Sequence, residues 1–188
     1  MGLKKLFGGF GIDKRSDYTM ADVIRVLRIL STRPRGRISL MKELGLGEAS
    51  VKTMIKNLRK HGLTRHSTKG EILTEKGRKV SEYLNRKVKS VFRIRIPSIS
   101  TKPTVAIVVR RASRRVIRGI EQRDEGMKMG VDVTTLVCED GCIRFPGTGE
   151  VVRGVDFDLE EGDVVVLASG KNLKEAERGG IAAVLTLL

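Results

Sequence analysis

Apolar residues in the first half of the chain recur at helical spacing. Val23, Val26, Leu27 and Leu30 fall at i, i+3, i+4 and i+7, which predicts a helix over 20–30. Thr19 precedes it as a cap, with Asp22 as an acidic capping-box partner. After "TRPRGR", Ile38 reads as a short strand and Ser39 as the cap of a short helix through Leu44. "GLG" at 45–47 is a turn in which glycine permits the positive φ of a tight helix–helix connection. Val51, Met54, Ile55 and Leu58 mark the buried stripe of a second helix over 48–61. A hairpin follows, 63–66 against 71–74, with Lys69 and Gly70 at its tip. Thr74 caps a last helix over 75–89, with Val80, Tyr83, Leu84 and Val88 facing inward.

The second half is patterned differently. "VFRIRIP" alternates apolar and basic residues and reads as a half-buried strand over 91–96. "SISTKP", between Pro97 and Pro103, is a stiff connector. "TVAIVVR" is a β-branched buried strand, followed by a helix over 114–129 that Gly130 ends. "VTTLVCEDGCIRF" is a hairpin turning at Asp140-Gly141, and "GDVVVLASG" is another core strand. "KNLKEAERGG" reads as a short helix capped by Asn172, with Glu175 at the capping-box position and a Gly-Gly stop. "IAAVLTLL" reads as a final strand, which would make a parallel, right-handed crossover from Val164 to Leu187.

These elements predict an α+β chain. A winged helix-turn-helix comes first, then an α/β sandwich of about six strands and two helices. The expected divisions are an arm at 1–18, the winged helix at 19–90 and a second domain at 91–188.

Charge sharpens this picture. Residues 1–90 carry 22 Lys+Arg against 8 Asp+Glu, whereas residues 91–188 carry 15 against 14. The first half therefore has the composition of a polyanion binder, and the second that of a near-neutral domain. No apolar run approaches the ~18 residues of a membrane span. "MGLKKLFGGFG" has no apolar signal core, and with two cysteines a cytoplasmic protein without membrane association is expected.

At 100° per residue, the face opposite the stripe of the 48–61 helix centres on Ala49, Thr53, Lys56 and Lys60. Ser50, Lys52 and Asn57 flank it. Small residues allow close approach, hydroxyls and Asn read base edges, and lysines meet phosphate. The candidate DNA-binding set is Ser50, Lys52, Thr53, Lys56, Asn57 and Lys60, with Arg65, His66 and Lys69 on the hairpin and Arg35 and Arg37 before the first turn. A solvated helix face is the alternative; the glycine turn before it and the hairpin after it favour a groove reader.

The second half offers less chemistry. Arg110, Arg111, Arg114, Arg115 and Arg118 cluster at the start of the expected long helix, where cations oppose the dipole. Pairing with Glu121 or Gln122 along that helix would offset them. The sharper reading is a small anionic effector held by Arg114, Arg115, Arg118 and Gln122, with Ser169, Gly170 and Lys171 as an anion-binding helix start. "SGKN" is not a phosphate-binding loop of the Walker type, since the first glycine and the Ser/Thr after Lys are missing. Cys138 and Cys142 flank a two-residue turn that points them to opposite faces, so free thiols are expected rather than a disulfide or zinc pair. No metal site and no cofactor are expected.

"LGEASVKTMIKNLRKHGL" followed by "LTEKG" resembles the winged-helix domains of archaeal and bacterial transcription regulators. The whole chain looks like an archaeal family of winged-helix regulators with an uncharacterised C-terminal domain. "GIEQRDEGMKMGVDVTTLVCEDGCIRFPG" and "GDVVVLASGKNLKEAERGG" carry that likeness. "TTLVCEDGCIRFPG…FDLEEGDVVVLASGKNLKEAERG", within 134–179, is also similar to the C-terminal regulatory domain of potassium-transport proteins, from which the expected helix at 114–129 departs. That likeness implies ligand sensing and dimerisation without catalysis.

The expectation is a DNA-binding transcription regulator, not an enzyme, whose partners are double-stranded DNA, a second copy of itself and a small anionic effector. The alternatives are a non-specific chromatin-type binder, or a nucleic-acid processing factor that uses the winged helix only for docking. The acidic stretch 156–163 ("DFDLEEGD") reads as a loop before a strand.

Overall fold

The computed structural model describes residues 7–13 and 15–188. The chain divides into two compact units, Met1–Asn85 and Arg86–Leu188. Together they form an α+β protein.

The first unit runs α1 (Met20–Thr32), α2 (Arg37–Leu44), α3 (Glu48–Lys60), β1 (Thr64–Ser67), β2 (Gly70–Leu73) and α4 (Glu75–Lys87). This is the order of a winged helix-turn-helix. Asp22 accepts from the Thr19 backbone N–H at 2.8 Å, the acidic half of the expected capping box. Gly45 closes α2 with φ 73°, its N–H bonded to the Met41 carbonyl. Val23, Val26, Leu27, Leu40, Leu44, Val51, Met54, Leu58, Val80 and Leu84 form the core. Arg25, itself buried, donates to the Leu44 carbonyl at 3.1 Å and the Glu43 carbonyl at 3.4 Å. It thus places a cation at the C-terminal end of α2, where the helix dipole favours one.

Two expectations at this end are corrected. Ile38 is helical, not a strand, and Gly36 rather than Ser39 sits at the N-cap of α2. The extra strand pairing lies three residues earlier, where Arg35 and Glu71 exchange backbone hydrogen bonds of 3.2 and 2.8 Å. Pro34, just before Arg35, pushes the preceding Arg33 into extended backbone (φ −166°, ψ 159°) and ends α1. The hairpin has the expected register, Thr64 to Leu73 and Ser67 to Gly70.

The second unit is one five-stranded sheet. Its strands are β3 (Val88–Ile94), β4 (Thr104–Val109), β5 (Asp132–Glu139), β6 (Cys142–Arg144) and β7 (Val164–Ser169). Their spatial order is β3-β4-β7-β5-β6, with every neighbouring pair antiparallel. β4 and β7 lie inside the sheet and are buried along their whole length. Two-sided burial is why their sequences show no alternation of apolar and polar residues. Ala106, Val108, Leu136, Val165 and Leu167 face a cluster with Ile96 and Phe157, walled by Ile99, Val152, Val155 and Leu159 from the loops. The helices α5 (Ile120–Lys128) and α6 (Leu173–Val184) pack together on the sheet.

Three expectations change in this unit. "IAAVLTLL" completes α6 and a short 3₁₀ turn, Leu185–Leu187, so the parallel crossover is absent and five strands stand where about six were expected. The Gly-Gly pair is not a stop. A Cβ on Gly179 would lie 2.1 Å from Val131 Cγ2, and one on Gly180 would lie 2.9 Å from both Ala168 Cβ and Ile107 Cδ1. The two glycines let α6 sit directly on the sheet. Finally, no helix spans 114–129. Ser113–Arg115 is a 3₁₀ turn, Gly119 takes φ 74°, and only then does α5 begin, with Glu121 in its first turn. Arg110, Arg111, Arg114 and Arg115 therefore lie before the helix, and only Arg118 adjoins its N-cap.

The Asp140-Gly141 turn joins β5 and β6 as expected, with Glu139 opposite Cys142. Both cysteines are free; Cys138 is buried and Cys142 half-buried. Burial pushes the Cys138 thiol above its ordinary range, and the Glu161 and Asp163 carboxylates push it further. Among the described residues no helix is long and apolar enough to cross a membrane. Nor do any three of the described His, Cys, Asp or Glu residues gather as metal ligands.

Candidate nucleic-acid interface

α3 is amphipathic because its apolar positions recur every three or four residues. Val51, Met54, Ile55 and Leu58 are buried, which leaves Ala49, Lys52, Thr53, Lys56 and Lys60 exposed. Lys52, Lys56 and Lys60 are spaced one turn apart and make a basic stripe along the helix.

On one side of α3 lies a groove of about 660 Å³. It is lined by Arg35, Arg37, Ile38, Lys52, Lys56, Arg59, His66 and Glu71, with Gly36, Ile55 and Gly70. Its floor is an ion-pair network centred on Glu71, which is 3 % exposed. The Glu71 carboxylate accepts from Arg59 through two guanidinium nitrogens, with Nε at 3.0 Å, and lies 3.3 Å from His66 Nδ1. The carboxylate holds Arg59 above its ordinary pKa. The network ties the last turns of α3 to the hairpin, so the angle between helix and wing is set by a buried charge contact. Gly70 completes this junction with φ 113°; a Cβ there would meet the Arg35 carbonyl at 2.6 Å.

Arg35, expected as a DNA contact, is largely buried and bonds to Glu43 at 2.5 Å. It braces the groove rather than reaching from it. Arg37 pairs with Glu48 at 3.1 Å while remaining half exposed. Arg65, His66 and Lys69 are exposed on the hairpin, as a wing requires.

The other side of α3 is occupied by the chain's own N-terminal segment. Asn57 Nδ2 donates to the Gly11 carbonyl at 2.8 Å and to the Tyr18 hydroxyl at 3.1 Å. Ser50 Oγ donates to Asp17 at 3.4 Å. Phe10 packs against His61 with the rings tilted and their centroids 4.9 Å apart, and Phe7 is buried. Asn57 and Ser50, expected to contact DNA, are thus engaged within the unit. The arm expected at 1–18 falls partly outside the described residues, but 7–13 and 15–18 include this docked stretch. Residues missed by the sequence reading are Arg59, Glu71 and exposed Ile38. Arg59 lies one turn from Lys56 on the wing side of α3, a signal that becomes legible only once the wing is placed.

In the second unit the two halves of the candidate effector site are separated. Arg114 and Arg115 follow Ser113, whose N–H bonds to Gly162 just before β7, whereas Ser169 ends that strand. At ~3.4 Å per residue, a six-residue strand holds them roughly 17 Å apart. Arg115 donates to the Leu187 carbonyl at 2.8 Å, and buried Gln122 donates to Thr186 at 2.6 Å. Arg118 precedes α5 and lines a separate hollow of about 390 Å³ beside Phe145 and Pro146. Ser169 and Gly170 are buried, with Ser169 bonded to Thr104 at 2.8 Å. Only Lys171 faces an open cleft of about 680 Å³, where Arg93, Arg95 and Lys102 join it.

Two family models match. Residues 19–79 match a model described as the PH0730-like N-terminal domain, and residues 100–187 match a domain of unknown function, DUF4443. Among solved structures the chain is similar to the hypothetical protein PH0730 from Pyrococcus horikoshii OT3. The two are 28 % identical with a TM-score of 0.73, over 89 % of this chain and 92 % of that one. No curated protein matches.

Proposed function

We propose that this protein is a DNA-binding transcription regulator. Its first unit would lay α3 in the major groove of double-stranded DNA and its hairpin over the flanking backbone. The observation that carries this reading is the exposed stripe of Ala49, Lys52, Thr53, Lys56 and Lys60 beside a groove rimmed by Arg37, Arg59 and His66. Lys52, Lys56 and Lys60 meet phosphate; Thr53, with Ala49 leaving room beside it, reaches base edges. Arg65 and Lys69 hold the backbone next to the site. No catalysis is assigned. The second unit serves dimerisation, effector sensing or both.

Fluorescence anisotropy on duplex DNA across a salt series tests this. The wild-type protein binds with a steep negative slope of log K against log salt. Lys52→Ala with Lys56→Ala flattens that slope by about 2, since each lost phosphate contact removes about 0.9. An unchanged slope would mean that α3 does not face DNA. Competition with random duplex separates a specific regulator from a chromatin-type binder, which would lose as much to random DNA as to selected DNA. Metal-dependent cleavage of the duplex would instead support a processing factor.

A second reading concerns the cleft of Arg93, Arg95, Lys102 and Lys171. Four cations line it, and Asp132 is paired with Lys102 at 2.6 Å. This favours a phosphate-bearing effector. Calorimetric titration with pyrophosphate, compared between the wild type and Arg93→Ala with Arg95→Ala, tests it.

A further inference from the structure

The exposed face of α5 carries apolar and charged residues in a self-complementary order. Ile120 and Met127 are 44 % and 62 % exposed, seven residues apart, and so lie on one face two turns apart. Arg123 and Asp124 lie between them on that face, 58 % and 52 % exposed. Gln122 and Gly126 are buried on the opposite side, which fixes the direction of this face. Ile117, before the helix, is a further exposed apolar residue, 75 % exposed.

We infer that this face is the dimer contact: α5 packs antiparallel against α5 of a second copy, with the two-fold axis between Arg123 and Asp124. That register sets Ile120 against the partner's Met127, and Met127 against the partner's Ile120. It sets Arg123 against the partner's Asp124, and the reverse. Within one copy Arg123 and Asp124 are adjacent in sequence and only 3.7 Å apart, so each can turn to the partner's opposite charge. The remaining charges on the helix do not collide. Glu121 falls opposite the partner's Gly126, and Lys128, bonded to Glu125 at 2.5 Å, falls opposite the partner's Gly119. A parallel pairing would instead face Arg123 with arginine and Asp124 with aspartate, which is repulsive. Antiparallel helices also oppose their dipoles favourably. A two-fold contact uses one patch on both copies, and this patch fits itself.

This inference rests on reading the second unit as a dimerisation element, and it names the surface. Two short helices bury an area at the low end of specific interfaces, so a weak, concentration-dependent dimer is expected.

The test is sedimentation equilibrium of the full chain over a concentration series, joined to cysteine cross-linking in a Cys142→Ser background. The wild type shows a monomer–dimer equilibrium, and Ile120→Asp shifts it to monomer with an unchanged circular dichroism spectrum. Ile120→Cys and Met127→Cys, each alone, give little oxidative cross-linking, whereas the mixture of the two gives disulfide-linked dimer. A dimer that Ile120→Asp leaves intact, or equal cross-linking of each single variant with itself, overturns the surface while sparing dimerisation. A monomer at every concentration overturns both.

Discussion

Gly179→Ala separates two accounts of the Gly-Gly pair. On an exposed helix, replacing glycine with alanine stabilises by about 1 kcal/mol. If the pair merely ended a helix, the change would be neutral or favourable. In the structure Gly179 lies in mid-helix, and the new Cβ would stand 2.1 Å from Val131 Cγ2 and 3.0 Å from its Cγ1. Carbon atoms prefer ~3.5–4.0 Å, so one side must move by more than 1 Å. Val131 has little room to give, being 3 % exposed with its N–H bonded to the Gly126 carbonyl. Overpacking of this kind costs about 1–3 kcal/mol. It also reverses the propensity gain. The expected result is destabilisation, not stabilisation, read as a lower urea midpoint and faster amide exchange in α6 and β5. Val131→Ala removes both clashing methyl groups and leaves a 3.1 Å approach to its Cβ. The double variant should therefore be more stable than the sum of the two single changes predicts, by about 2 kcal/mol of coupling. A stabilised Gly179→Ala protein, or coupling near zero, would refute the close approach of α6 to the sheet.

Other outcomes follow from named contacts. Asn57→Ala should speed proteolysis at Arg15 by freeing the docked segment, yet lower DNA affinity less than Lys52→Ala with Lys56→Ala does. Glu71→Gln should destabilise the first unit by about 1–2 kcal/mol in urea denaturation, below the usual buried-pair figure because Arg59 remains 45 % exposed. Asn172→Ala should cost about 1 kcal/mol, since its side chain accepts from the N–H groups of Lys174 and Glu175. Mass spectrometry after alkylation at mildly alkaline pH should find Cys142 modified first. Cys138, buried and with its thiol pushed up, should stay unmodified until the unit unfolds.

Much of the first unit was legible because its signals are local. The 3.6-residue spacing of Val51, Met54, Ile55 and Leu58 locates the core side of α3, and therefore its exposed side, without any knowledge of neighbours. Thr19 with Asp22, Thr74 before α4 and Asp140-Gly141 each act within a few residues, so their chemistry can be read directly. The charge contrast between the halves needed only counting.

Other features depend on partners far away in sequence. "IAAVLTLL" is apolar except for Thr186 and lacks a period that would separate helix from strand. In the fold it continues a helix whose Gly179 and Gly180 lie close against Val131, Ala168 and Ile107. Asn57 has the chemistry of a base reader, but the chain's own Gly11 and Tyr18 take its amide. Arg59 joins the rim of the candidate groove through Glu71, twelve residues on, which a reading of α3 alone does not place beside it. The sequence by itself determined most elements of the first unit, their apolar faces and where the positive charge resides, because periodicity, caps and turns act locally. The tertiary structure decided strand order, which side of α3 remains open and which arginines share a cleft, because those depend on long-range packing and buried charge.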